Sequence, residues 1–333
     1  MKKKLIIAIP TYNRCEYLYK NLARLVPQVA TVKTDVGIIV SDNCSTDRTK
    51  DVVDSFITNY PDVISYNKTE KNNGFSANFT QCVHLSNSEY VCLLGDDDEV
   101  SLGYIKTILE ILNNYPNLGL LHYNFLTCNP NSKLVYSYYE KRPLTSLLEI
   151  YEDHQTFIEE FLNGPSFISS LIFKKDIWMK GENLFPENCY GYDWLMKIYA
   201  GLSGYKCAFY PFPIVVQYSS GIGGYSNQWP KYSIIGISRI FENLESYNPG
   251  VYKKWKKAMM DNPRVFYAII KIAYYNELYK GLYSELKYYL PKRSFRIVLY
   301  ICYHSPKLLA SSVYMPIFRL YALCYKMKDL INR

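Results

Sequence analysis

The sequence predicts an α/β fold, a mostly parallel sheet wound by helices, and three observations carry that prediction. Short apolar runs alternate with helix-length segments from Leu5 to Asn113. Each strand-like run up to there, except the third, ends in a polar cluster. The last cluster, Asp96-Asp97-Asp98-Glu99, places four acidic side chains directly behind the apolar Tyr90-Val91-Cys92-Leu93-Leu94. Short apolar runs suit buried parallel strands. In such sheets ligands bind at the carboxyl ends of the strands, which is where these clusters fall.

Taken in order, the spacing predicts strands over 5–9, 37–40, 63–67 and 90–94. Helices are expected over 16–26, 49–59, 75–85 and 102–113, with Pro116 as a stop signal. From Leu120 the pattern changes. Strands are expected at 120–126 and 169–173, a helix at 151–162, irregular chain over 129–147 and a helix within 191–204. Two short strands follow at 207–211 and 214–218. The glycine- and serine-rich stretch 219–226 reads as a lid loop. Beyond Ser233 the chain reads as helical, with Phe266, Ile269, Ile270, Ala273 and Tyr274 at helical spacing. The expected division is 1–225 for the α/β domain and 226–333 for a helical, basic, Tyr-rich region.

Composition narrows the function. At 333 residues with 49% apolar side chains, the chain has material for one large domain and an accessory piece. Nine cysteines form no Cys-x-x-Cys pair, which disfavours zinc and a disulfide framework and fits reduced thiols in a cytoplasm. The four histidines show no metal spacing. Met1-Lys2-Lys3-Lys4 before Leu5 imitates a signal peptide, but the apolar part stops at Pro10. No segment supplies the ~20 apolar residues of a spanning helix. Charge is uneven: residues 251–333 hold 16 Lys and Arg against 4 Asp and Glu, a net of +12, out of +8 for the whole chain. Thirteen of the 35 tyrosines lie in the same stretch. Basic residues mixed with aromatics suit an anionic membrane surface, and no RNA- or DNA-binding motif accompanies them.

The acidic run has its own chemistry. Carboxylates crowded at a strand end repel one another and resist desolvation. A hard divalent ion gripping a diphosphate answers both problems, with protein oxygens on one side and phosphate oxygens on the other.

Five motifs occur in order: Ile9-Pro10-Thr11-Tyr12-Asn13-Arg14, Ser41-Asp42-Asn43-Cys44-Ser45-Thr46-Asp47, Asn73-Gly74-Phe75-Ser76-Ala77-Asn78, Asp96-Asp97-Asp98 and Gly191-Tyr192-Asp193-Trp194-Leu195. Together, over about residues 4–225, they resemble the family 2 glycosyltransferases of GT-A fold, and within them the O-antigen type. The resemblance implies a Rossmann-like mixed sheet and a nucleotide-sugar donor. Pro10, Thr11, Tyr12, Arg14, Asp42, Asn43, Asn73, Gly74, Asp96 and Asp97 would bind the nucleotide. Asp98 and Asp96 would hold Mg²⁺ or Mn²⁺, and Asp193 would be the base that deprotonates the acceptor. Tyr192, Trp194, Phe167 and Ser169 would line the acceptor groove. Asn43 stands where many relatives have a second Asp, and an amide suits cytosine. The resemblance also implies a CDP-linked sugar such as CDP-abequose as donor. The implied acceptor is a mannose of an undecaprenyl-diphosphate-linked O-antigen repeat, reached at the cytoplasmic face of the inner membrane. One departure stands out: Gln217-Tyr218-Ser219 lies where many relatives carry a His or Arg near the metal or phosphates, so either metal coordination is thinner or the phosphate contacts come from another residue.

Two other classes fit the sequence less well. A sugar nucleotidylyltransferase would need a glycine-rich, arginine-bearing loop after the first strand, where this chain has Pro10-Thr11-Tyr12-Asn13. A non-catalytic scaffold would have no use for the intact Asp96–Asp98 run and Asp193.

Overall fold

The computed structural model describes residues 2–129, 134–137, 146–162, 167–185, 191–218, 231–260, 265, 269, 281–290 and 292–304. By contacts the chain separates into two units, 1–187 with 193–220, and 188–192 with 221–333.

In the first unit β1 (Lys3–Thr11) lies between β2 (Val36–Asp42) and β4 (Ser88–Leu93), parallel to both, and β3 (Ile64–Lys68) extends the row beyond β2. These strands are short and apolar because both faces are covered: Leu5, Ile7, Ile9, Val36 and Val40 are fully buried. Between them run α1 (Cys15–Ala30), α2 (Thr49–Asn59) and α3 (Phe75–Leu85). The two helices expected at 49–59 and 75–85 occupy those bounds. α1 outlasts its expected end at Val26: Pro27 lies inside it, and Val29 is buried one turn on. Packing of the apolar face here outweighs the lost N–H and the ring's clash.

Beyond β4 the sheet is mixed, as the resemblance implied and the alternation alone did not. β9 (Leu171–Lys174) sits antiparallel between β4 and β6 (Leu118–Asn129), and β10 (Lys206–Tyr218) runs parallel to β6. β5 (Glu99–Val100) and β8 (Glu149–Tyr151) pair antiparallel with β10, and β7 (Leu134–Ser137) with β6. α4 (Tyr104–Asn114) precedes β6, and α5 (His154–Glu160) follows β8. β10 is one strand where two were expected. Its register shifts between Tyr210 and Val215, across Pro211 and Pro213, which cannot donate to the ladder.

Two helices complete the unit, α6 (Lys175–Leu184) and α7 (Asp193–Gly201). α6 escaped the periodic reading because its contact face includes a glycine. A Cβ on Gly181 would fall 1.7 Å from the Lys197 carbonyl oxygen, and one on Gly201 would fall 1.9 Å from that of Ile177. The two backbones therefore touch at both crossings.

The second unit has its own core. A π-helical turn at Lys231–Gly236 leads into α8 (Ile237–Leu244), with α9 (Val251–Met260), α10 (Tyr283–Tyr289) and α11 (Arg293–His304) after it. Phe241 stacks on Trp255 at 4.9 Å, the Trp255 indole donates to Ser238, and Tyr288 and Tyr289 both donate to Glu242 at 2.7 Å. Among the described residues no helix is long and apolar enough to cross a membrane. The expected lid at 219–226 and most of the apolar series from Phe266 to Tyr274 lie outside the described residues.

Gly201→Ala forces a methyl group into the Ile177 carbonyl. It should lower unfolding free energy by about 2 kcal/mol or more, read as a fall in the urea midpoint at constant m-value.

Candidate active site

The parallel register aligns the strand ends. Thr11 lies opposite Asp42, and Leu94 donates its N–H to the Ala8 carbonyl, so the acidic turn begins beside the end of β1. Asn13 and Cys44 both adopt positive φ, 53° and 70°, which side chains other than Gly rarely accept. The Asn13 N–H donates to Ser45 Oγ at 2.8 Å, and its Oδ1 accepts from the Thr46 N–H at 2.7 Å. The Cys15 N–H donates to Asp47 at 3.0 Å. These bonds hold the ends of β1 and β2 as one rim, with Tyr12 42% exposed on it.

The turn Gly95–Asp98 is buried and braced from three sides. Asp96 Oδ2 accepts from Thr11 Oγ1 at 2.7 Å. Its Oδ1 lies 3.2 Å from the Arg14 guanidinium, whose other arm is 2.5 Å from Asp97. Asp98 Oδ2 accepts from Ser169 Oγ at 2.5 Å, and Ser169 Oγ accepts from the Gly95 N–H at 2.8 Å. From α1 the Asn21 amide donates to the carbonyls of Gly95 and Asp98 at 2.9 and 2.8 Å. Gly95 is needed here because a Cβ would fall 2.5 Å from Asp98 Oδ2.

Electrostatics follow from this burial. Desolvation, opposed by Arg14 and reinforced by Asp97, pushes the Asp96 carboxyl up to about 7. Desolvation and then Asp97 push Asp98 well above the usual carboxylate range, against the Ser169 hydrogen bond. Among the described residues no three His, Cys, Asp or Glu side chains form a metal cage. The donor set still fits a hard ion that takes one or two carboxylates and completes its shell with substrate phosphates. All its ligands are oxygen, and a guanidinium already stands on Asp96 and Asp97 as a cation.

Asp42 and Asn43 are placed differently from the expectation that they read the base. Asp42 is fully buried, with one oxygen accepting from the Ser45 N–H at 2.7 Å and the other from the Tyr66 hydroxyl at 2.6 Å. The Asn43 amide donates to Asn72 Oδ1 and the Gly74 carbonyl, and its oxygen accepts from the Asn73 N–H at 2.9 Å. Both amide hydrogens are committed, so Asn43 braces the 72–74 loop and gives no support to a cytosine preference. Gly74, at φ 81°, then opens α3, which has no side-chain cap.

Asp193 is the first residue of α7, and the Ser76 hydroxyl of α3 donates to it at 2.8 Å. One turn further along both helices Lys197 donates to Thr80 at 3.0 Å and pairs with Glu182 at 3.0 Å. So α3 carries the loop at the end of β2 at one point and Asp193 at the next. Each residue expected in an acceptor groove has packing partners of its own. Trp194 is 5% exposed, Ser169 is fully buried against Asp98, and Phe167 packs on Phe125 at 4.5 Å. Tyr192 belongs to the second unit, where its ring meets Tyr232 edge-on at 6.5 Å. Pattern reading missed Asn21, Tyr66 and Ser76. Asn21 had a signal, a polar residue on the apolar face of Leu18, Leu22 and Leu25.

Against known proteins, residues 6–163 match the sequence model described as Glycosyl transferase family 2. The chain is 29% identical over 179 residues to the abequosyltransferase RfbV of Salmonella typhimurium, covering 51% of this chain and 52% of that protein. It is 30% identical over 110 residues to a Campylobacter jejuni GalNAc(5)-diNAcBac-PP-undecaprenol beta-1,3-glucosyltransferase, covering 33% and 35%. The chain thus spans about half or less of the length of these curated relatives. Among solved structures it superposes on S. aureus TarS 1-349 in complex with UDP-GlcNAc with a TM-score of 0.60, at 15% identity, over 90% of this chain and 91% of that one. That likeness shows the GT-A fold.

Because the folded carboxyl of Asp96 is raised, the stability it contributes is full below the ordinary carboxylate range. It is lost as pH rises toward about 7. Asp96→Asn should therefore gain thermal stability over the unaltered ligand-free protein as pH is raised from about 4 to about 8, measured by differential scanning calorimetry.

Proposed function

We propose that this chain, whose residues 6–163 match the glycosyl transferase family 2 model, moves a sugar from a nucleotide diphosphate donor to an acceptor hydroxyl. The observation that carries the reading is the braced acidic turn at the carboxyl edge of β1 and β4. Bound there, a divalent ion would neutralise the donor's diphosphate and stabilise it as a leaving group. Asp96 and Asp98 are the residues to hold it. Thr11, Asn21 and Ser169 keep the turn in shape, and Tyr12 offers an exposed ring to a nucleobase. Asp193, held by Ser76, takes the proton from the acceptor oxygen.

The finer reading is a CDP-linked sugar, CDP-abequose, as donor and a lipid-linked oligosaccharide ending in mannose as acceptor. The abequosyltransferase relative supports the donor, and the Campylobacter relative, named for a PP-undecaprenol substrate, supports the acceptor. The net charge of +12 over 251–333 supports a peripheral position on an anionic membrane, at the cytoplasmic face. A UDP-linked donor is the second reading, favoured by the TarS complex.

A panel of CDP, UDP, GDP and dTDP, each with and without Mn²⁺, tests the donor by thermal shift. CDP with Mn²⁺ should stabilise most, and UDP leading the panel would select the second reading. Asp193→Asn should leave that shift in place while transfer with the selected nucleotide sugar falls by about 10²-fold or more. Full transfer by Asp193→Asn removes the base assignment.

A further inference from the structure

The arginine at the start of α1 is flanked by anchored backbone and carries its guanidinium to two carboxylates. Arg14 follows the left-handed Asn13, and both its neighbours in the chain are tied to the end of β2. Its side chain is 38% exposed and reaches out along the Tyr17 ring, 4.8 Å from the ring centre, to Asp96 and Asp97. The two arms take one oxygen from each carboxylate, 3.2 Å to Asp96 Oδ1 and 2.5 Å to Asp97 Oδ2. The other oxygen of Asp96 is held by Thr11.

A cation that binds Asp96 therefore meets an occupied ligand. Thr11 is buried and fixed on β1, whereas Arg14 is long and part-exposed. The arginine is the partner that can leave. Electrostatics point the same way: a divalent ion brings twice the charge of the guanidinium to the same carboxylate, and the two cations repel. A diphosphate arriving with that ion restores negative charge at the rim, and a planar guanidinium fork matches phosphate oxygens.

We propose that Arg14 is the resident counter-cation of the acidic turn, and that a divalent ion displaces it from Asp96 onto the diphosphate of the donor. Arg14 thereby opposes the ion on its own and favours the ion together with a nucleoside diphosphate. The inference rests on the acidic turn being the ion site.

The test is Mn²⁺ binding by the full-length protein, followed by electron paramagnetic resonance, with CDP and UDP binding measured separately at saturating Mn²⁺. Arg14→Gln should bind Mn²⁺ alone more tightly, by about tenfold, the equivalent of one charge-assisted contact. The same variant should bind the nucleoside diphosphate more weakly by a similar factor. Arg14→Lys keeps a cation but lacks the planar two-armed fork, so it should fall between, and it serves if Arg14→Gln does not fold. Mn²⁺ affinity unchanged or reduced in the variants overturns the inference while leaving the ion site intact. No Mn²⁺ binding by the unaltered protein, with or without nucleotide, overturns the ion site and the inference together.

Discussion

Three carboxylates at the end of a buried strand are the constraint this molecule is built to satisfy. Left in water they would cost little. At the rim of the sheet, Asp96 and Asp98 are 4% and 5% exposed, and burial raises both carboxyls out of their ordinary range. The surrounding elements answer this locally. β1 sends Thr11, α1 sends Asn21 and Arg14, and the segment before β9 sends Ser169. These come from three separate parts of the chain, so the turn keeps its shape only when the sheet, α1 and the chain leading into β9 are all in place.

The same logic bears on residues expected to bind the nucleotide. Asp42 and Asn43 stand at a strand end in a recognisable motif, yet their polar atoms are committed to Ser45, Tyr66 and the 72–74 loop. A fully bonded buried group holds geometry and has little capacity left for a ligand. Ser169 is the mirror case: expected on an acceptor groove, it lies beneath the acidic turn and links Gly95 to Asp98.

Much of the first half was legible in the sequence because its strands are buried on both faces and its helices carry regular apolar stripes. α2 and α3 fall at their expected bounds, and the polar clusters after the first, second and fourth strands fall at the carboxyl ends of β1, β2 and β4. Beyond β4 some pieces were harder for physical reasons. β9 overlaps the strand expected at 169–173, but its antiparallel direction has no trace in its own sequence, and β5, at two residues, leaves no period to detect. α6 presents a glycine where a stripe would show a large side chain. Partners distant in sequence, such as Ser76 with Asp193, 117 positions apart, leave no local trace at all.

The glycine crossing of α6 and α7 has a consequence for how such a chain can diversify. Trp194 to Gly201 are all buried, and the two helix backbones touch at both glycines. A larger residue at either glycine must shift α7 as a body, and Asp193, its first residue, moves with it. Sequence drift is therefore restricted along the whole of α7 by packing alone.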